Sequence, residues 1–211
     1  MNYSLYLFDF DYTLADSAKG IVMCFQHVLR HNGFENISED RIKRTIGITL
    51  EDAFIKLTGV QDQEQLVAFR KEYVKKADKV MVNNTVIFPG VLETLQCLKN
   101  EGAQTGIIST KYRYRIKETI DLYHMENLID CILGGEDVDH AKPNPEGLEK
   151  VILGFEIPKE KVLYIGDSLV DAETAKNAGV DFAAVTTGMT TKEDFKGMPY
   201  VMIMKSLKEL I

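Results

Sequence analysis

A chain of 211 residues that is 45% hydrophobic and 27% charged has the composition of an ordinary globular protein, with room for one core domain carrying a smaller insertion. Its net charge of -7 argues against nucleic acid or an anionic membrane as a partner, so any cation that holds phosphate must be placed locally. No apolar stretch reaches the length of a membrane span, and Cys24, Cys97 and Cys131 are odd in number and far apart, which together predict a cytoplasmic protein with three core thiols.

The apolar run Leu5-Tyr6-Leu7-Phe8 predicts a buried strand, followed at once by Asp9-Phe10-Asp11-Tyr12-Thr13-Leu14-Ala15-Asp16. Two carboxylates thus stand where a strand ends, which is where open α/β sheets carry out chemistry. Strand alternation would point Asp9 and Asp11 to one side, close enough to share a metal. After Asp16 the periodicity becomes helical: Ile21, Val22, Phe25, Val28 and Leu29 share a face, and Gly33 is placed to end the helix. Ser38 opens a short helix to about Ile46, Thr49 with Asp52 caps a third that ends at Gly59, and residues 63 to 80 form a fourth. From Thr85 onward strands alternate with helices, the pattern of a parallel sheet with right-handed crossovers. Strands are expected at Thr105 to Thr110, Cys131 to Gly135, Val162 to Asp167, Phe182 to Thr186 and Tyr200 to Met204. Helices fill residues 90 to 101, 112 to 124, 145 to 154 and 170 to 178. The expected fold is α/β: a Rossmann-like, doubly wound parallel sheet formed by residues 1–16 and 83–211, with a helical insertion at 17–82 hinged at 15–18 and 82–88.

Three further motifs fall at predicted strand ends or just before a helix. Ser109-Thr110-Lys111 presents hydroxyls ahead of a helix, where backbone N–H groups and a hydroxyl hold phosphate oxygens. Lys142 sits in Ala141-Lys142-Pro143-Asn144-Pro145, fixed by prolines before a helix start. Gly166-Asp167-Ser168-Leu169-Val170-Asp171 places Asp167 at a strand end and Asp171 on the first helical turn, where ordinary capping also explains it. His27 and His31 are four apart on one helix but lack an evident third ligand, and they read as packing and surface residues, as do His124 and His140.

In this order, Asp-x-Asp-x-Thr, Ser-Thr, Lys-Pro and Gly-Asp-Ser-x-x-Asp resemble the haloacid dehalogenase-like superfamily over nearly the whole chain, and the helical block resembles that superfamily's inserted four-helix cap. The resemblance implies a phosphotransferase in which Asp9 attacks phosphorus and Asp11 is general acid and base. It also implies Mg²⁺ held by Asp9, the backbone carbonyl of Asp11 and Asp167, with Asp171 orienting that shell. Ser109, Thr110 and Lys142 would bind phosphoryl oxygens. Dehalogenases and phosphonate-cleaving members lack the second aspartate, so Asp11 argues against both. Within the superfamily the phosphoglycolate phosphatase and pyrophosphatase branch is most similar, with Ser-Thr-Lys and Asp-His-Ala-Lys-Pro-Asn-Pro carrying the finer likeness. A sugar-phosphate mutase of the β-phosphoglucomutase kind and a non-catalytic binding module on the same fold are the alternatives. The implied partner is a small phosphorylated metabolite.

Three positions bear on selectivity. Tyr12 stands where cap-bearing relatives commonly have glycine, and a turn with φ below zero would accept it without consequence; otherwise its phenol lines the site entrance. Arg44 and Gly47 lie in the glycine turn between two cap helices, where relatives carry a substrate-selecting loop. Arg44 is either a solvated helix end or a partner for an anionic leaving group, which would rank phosphoglycolate and pyrophosphate above neutral sugars.

Overall fold

The computed structural model describes residues 3–211. Six parallel strands form one sheet: β1 (Leu5–Phe8), β4 (Gln104–Ile108), β5 (Cys131–Leu133), β6 (Val162–Gly166), β7 (Asp181–Val185) and β8 (Met202–Met204). Their order is β5-β4-β1-β6-β7-β8, so the first strand lies in the interior and the chain winds outward from it in both directions. β1 pairs Leu7 with Gly106 on one side and with Tyr164 on the other. All four β1 residues are buried, which is why they read as a continuous apolar run and not as an alternating one. The carboxyl ends of β1, β4 and β6 therefore meet at the place where the winding reverses.

Helices cover both faces of this sheet: α5 (Val91–Asn100), α6 (Arg113–Leu122), α7 (Glu146–Phe155) and α8 (Leu169–Ala178). One apolar cluster joins Phe8, Phe10 and Ile107 to Leu95 and Ile116, and the other joins Leu7 and Tyr164 to Leu148 and Ala175.

Between β1 and β4 the chain forms four helices with a hydrophobic core of their own. They are α1 (Ala18–His31), α2 (Glu39–Lys43), α3 (Leu50–Thr58) and α4 (Gln63–Val80). Ser38, Thr49 and Asp62 each accept a hydrogen bond from a backbone N–H in the first turn of the helix they precede, and Gly59 ends α3 at φ 79°. Phe25, Phe54, Phe69 and Tyr73 pack edge to face or tilted at centroid distances from 4.9 to 6.4 Å, binding α1, α3 and α4 together.

The structure departs from the sequence expectation in several places. α2 stops at Lys43 and does not reach Ile46, because the Thr45 hydroxyl donates to the Ile42 carbonyl at 2.7 Å and Gly47 turns the chain at φ 103°. The segment expected as a strand to Gly135 gives way after Leu133, where the Asp137 carboxylate accepts from Gly134 N at 2.8 Å and a 3-10 turn follows. The last strand starts at Met202, since Tyr200 and Val201 remain exposed. The two segments read as hinges pair with each other as a short antiparallel ladder, β2 (Ala15–Asp16) with β3 (Val86–Ile87). Two-residue strands have no periodicity to read. Of the three thiols only Cys24 is fully buried; Cys97 and Cys131 are half-buried, and all three are free. Among the described residues no helix is long and apolar enough to cross a membrane.

Candidate active site

β1 delivers Asp9 to the sheet edge, and its backbone N–H continues the strand by donating to the Ile165 carbonyl at 2.8 Å. The chain then folds back: Thr13, Leu14 and Ala15 N–H all aim at the Phe10 carbonyl, and Tyr12 N–H donates to Ala15 O. This turn ends the strand alternation, so Asp9 and Asp11 take different surroundings instead of facing one another. Tyr12 occupies the left-handed region at φ 63°, contrary to the expectation of a φ below zero. A tyrosine there carries backbone strain that glycine would not, and its phenol is buried, with only 7% of the residue exposed.

Asp9 is almost completely buried and meets Lys142 Nζ at 2.7 Å. The same ammonium contacts Asp171 Oδ1 at 2.6 Å and the Tyr164 hydroxyl at 3.1 Å, and that hydroxyl in turn donates to Asp171 Oδ1 at 2.9 Å. Asp171 is held by the first turn of α8: Ser168 Oγ donates to its Oδ2 at 2.6 Å while accepting from Asp171 N, a reciprocal cap. Gly166 is required behind it, since a Cβ there would overlap the Asp171 carboxyl group. Asp167 completes the group, each of Asp9, Asp167 and Asp171 having a carboxylate oxygen within 4.8 Å of the others.

Three buried carboxylates thus lie together, and the one ammonium among them pairs with two, Asp9 and Asp171. Burial, followed by repulsion from Asp171 and Asp11, pushes the Asp9 carboxyl up from 3.8 to about 7 against the pull of Lys142. Burial and the charges of Asp171 and Asp9 raise Asp167 well above the usual carboxylate range. Burial would lower Lys142, but its two carboxylate partners prevail and hold it well above the usual lysine value. The cluster is short of positive charge, and an all-oxygen donor set with this deficit fits a hard divalent cation. Beside it, Gly188 leaves free the space that any Cβ would take from Asp167 Oδ2.

The Asp11 carboxylate is turned elsewhere. Its Oδ1 accepts from Lys111 Nζ at 2.7 Å and from Ser17 Oγ. Its side chain is not part of the three-carboxylate group, although strand alternation predicted that it would face the same side as Asp9. Ser109 is buried at the end of β4, with its N–H donating to Leu133 O and its hydroxyl accepting from Lys111 N at 3.3 Å. Thr110 Oγ1 reaches across to the Gly47 carbonyl at 3.4 Å, joining the sheet edge to the helical insertion.

Between insertion and sheet lies a cavity of about 180 Å³ whose wall includes Asp11, Gly47, Thr110, Lys111, Arg70 and Arg115. Gly47 is there as expected of the turn between two insertion helices. Arg44 is not: it is exposed and its Nε donates to Asp40 at 2.9 Å, the solvated helix-end arrangement. A cation at i,i+4 from an aspartate on an exposed helix is satisfied by its own helix. His27 and His31 both face Glu72 on α4, at 3.4 and 2.7 Å, and remain substantially exposed; His140 is exposed beside Glu146, and His124 follows the end of α6.

Sequence reasoning gave no role in the site to Ser17, Lys111, Arg115, Tyr164 or Gly188. Lys111 was visible as the residue after Ser-Thr, but nothing in its spacing tied it to Asp11, 100 positions away. Gly188 carries no chemistry and becomes legible only through what surrounds it.

The chain is similar to known proteins over most of its length. A family model described as haloacid dehalogenase-like hydrolase matches residues 6–185. A protein named pyrophosphatase PpaX from Oceanobacillus iheyensis is 29% identical over 205 residues, covering 97% of this chain and 94% of that one. A phosphoglycolate phosphatase from Aquifex aeolicus is 32% identical over 188 residues, covering 86% and 84%. The solved structure of a protein from Bacteroides fragilis, described by the same family name, superposes with a TM-score of 0.98 at 54% identity, covering 99% of this chain and all of that one.

Proposed function

Because the chain belongs to the haloacid dehalogenase-like hydrolases, with phosphatases among its relatives, we propose that it is a Mg²⁺-dependent phosphatase that hydrolyses a small phosphate ester or pyrophosphate through an aspartyl phosphate on Asp9. The observation that carries this reading is the clamped Asp9: a buried carboxylate at the end of an interior strand, fixed by Lys142, with a second aspartate two residues on that is held by a different cation. In this reading one Asp9 oxygen stays with Lys142 while the other faces the phosphorus, so the nucleophile enters the reaction already oriented. Asp11 gives a proton to the departing oxygen and afterwards takes one from the attacking water. Ser109, Thr110 and Lys142 bind the remaining phosphoryl oxygens.

Mg²⁺ would be held by Asp9 and Asp167 with the backbone carbonyl of Asp11, and when bound it neutralises phosphoryl charge that Lys142 alone cannot offset. Asp171 acts from behind, holding Lys142 in place. Residues 17–82 are the cap and residues 1–16 with 83–211 the core, and the cap excludes water from the cavity while the phosphoenzyme forms. Its setting is the cytoplasm, a reading supported by three free thiols.

A panel of small phosphate esters and pyrophosphate, assayed for released phosphate with Mg²⁺ and with EDTA, tests the proposal. Metal-dependent release that disappears in Asp9→Asn is the expected result. Release unaffected by that substitution would overturn it, and conversion of a hexose 1-phosphate to its 6-phosphate without free phosphate would establish a mutase instead.

A further inference from the structure

The cavity wall holds three cations that the reaction as described does not use as phosphoryl ligands. Arg70 is already engaged, its Nη1 lying 3.2 Å from Glu51 Oε1, also in the wall. Lys111 and Arg115 are different. Lys111 lies two residues before α6 begins and Arg115 on its first turn, and both line this cavity. The Arg115 side chain is only 4% exposed. Its Nη2 donates to the Val74 carbonyl at 2.9 Å and to Asp78 Oδ1 at 2.7 Å, both on α4 of the insertion, and the guanidinium lies 4.9 Å from the Tyr114 ring centroid. Its Nη1 is buried with no hydrogen-bond partner. A guanidinium presents two donor edges in a rigid fork, and leaving one edge buried and unsatisfied is costly enough that folded proteins seldom retain it without a use.

Lys111 has the complementary peculiarity. Its ammonium is nearly buried and its ion-pair partner is Asp11 Oδ1, the oxygen that Ser17 also occupies. In this arrangement Lys111 competes with the departing oxygen for the group that must protonate it.

We propose that Lys111 and Arg115 together receive a second anionic group, a phosphate or carboxylate carried by the leaving group, and that drawing Lys111 toward that anion frees Asp11 for the departing oxygen. The inference rests on the phosphatase reading above and narrows it to compact, doubly anionic substrates. A neutral leaving group leaves Lys111 on Asp11 and Nη1 of Arg115 unsatisfied, so discrimination appears in turnover as well as in binding. Because Nη2 of the same guanidinium holds the insertion, the anion is read at the junction of the two units.

The test is calorimetric binding of three non-hydrolysable probes to the intact protein in excess Mg²⁺: methylenediphosphonate, phosphonoacetate and methylphosphonate. Wild type is compared with Arg115→Gln, Arg115→Lys and Lys111→Met. Wild type is expected to bind the better of the two doubly anionic probes about 10- to 100-fold more tightly than methylphosphonate, the gain of one charge-assisted hydrogen bond. The preferred probe identifies the second anion as phosphate or carboxylate. Arg115→Gln and Lys111→Met should each lower that ratio by about tenfold or more, with Arg115→Lys between them and wild type. Equal binding of all three probes by wild type overturns the proposal, as does a ratio unchanged in Lys111→Met and in those Arg115 variants that fold by circular dichroism. Turnover of pyrophosphate and phosphoglycolate, whose leaving groups carry the second anion, is measured for wild type alongside. A doubly anionic preference without turnover refutes the phosphatase reading and leaves the receptor standing; turnover without the preference refutes the receptor alone.

Discussion

Replacing the proposed nucleophile should make the metal-free protein more stable. Asp9 is 2% exposed and its carboxyl is pushed up from 3.8 to about 7, first by burial and then by Asp171 and Asp11, which outweigh Lys142. At about 1.4 kcal/mol for each tenfold change, this rise corresponds to about 4 kcal/mol of penalty for carrying the charge when folded. The sign follows from proton binding. Between about pH 4 and 7 the folded chain holds a proton that the unfolded chain has released, so stability falls as pH rises through that window. In Asp9→Asn the amide resembles the protonated carboxyl, still accepts from Lys142 through its Oδ1, and has no such loss. Urea unfolding in EDTA should therefore find Asp9→Asn and wild type nearly equal near pH 4. The variant's advantage should grow to as much as about 4 kcal/mol by about pH 8. Excess Mg²⁺ should narrow the gap, since a ligand at about 100 times its Kd stabilises the protein that binds it by about 2.7 kcal/mol. A variant no more stable than wild type at pH 8, or an advantage independent of pH, would refute the reasoning.

Asp11→Asn should slow both formation and hydrolysis of the phosphoenzyme by about 10²- to 10⁴-fold, read from rapid-quench phosphate release; a near-normal rate would remove its acid–base role. Gly188→Ala places a methyl group against Asp167 Oδ2 and should weaken Mg²⁺ by about 10- to 100-fold in a calorimetric titration, while an unchanged affinity would show that Asp167 is not a ligand. Asp130 is partly buried, which alone would raise its carboxyl, but hydrogen bonds from Lys99 Nζ at 2.7 Å and Thr105 N at 2.8 Å hold it below the usual range. Its contribution is present above the unfolded value and is lost as pH falls through the folded one. Asp130→Asn should thus cost about 1–3 kcal/mol at pH 7, with the cost closing below about pH 4 in urea titrations. A cost that persists in acid would mean that packing, not charge, is lost.

What could be read from the chain alone was whatever lies within one element or one turn. The apolar run before Asp9, the caps at Ser38 and Thr49, and the glycine stop at Gly59 are local choices that a few neighbouring residues determine. The placement of Asp9, Ser109 and Asp167 at the ends of adjacent strands followed from the same local reading, because parallel connections carry every strand end to one edge of the sheet. Tertiary structure alone decided how the charges are apportioned. Lys142 joins Asp9 across 133 positions and Lys111 joins Asp11 across 100, whereas the pairing of Arg44 with Asp40 is local and matches the solvated helix end that was one of its two readings. The left-handed Tyr12 and the bare Gly188 likewise depend on how the loops meet over the sheet edge. Hydrophobic periodicity reports which face of an element is buried, but a buried ion pair is set by distances between elements, and those exist only once the core has packed.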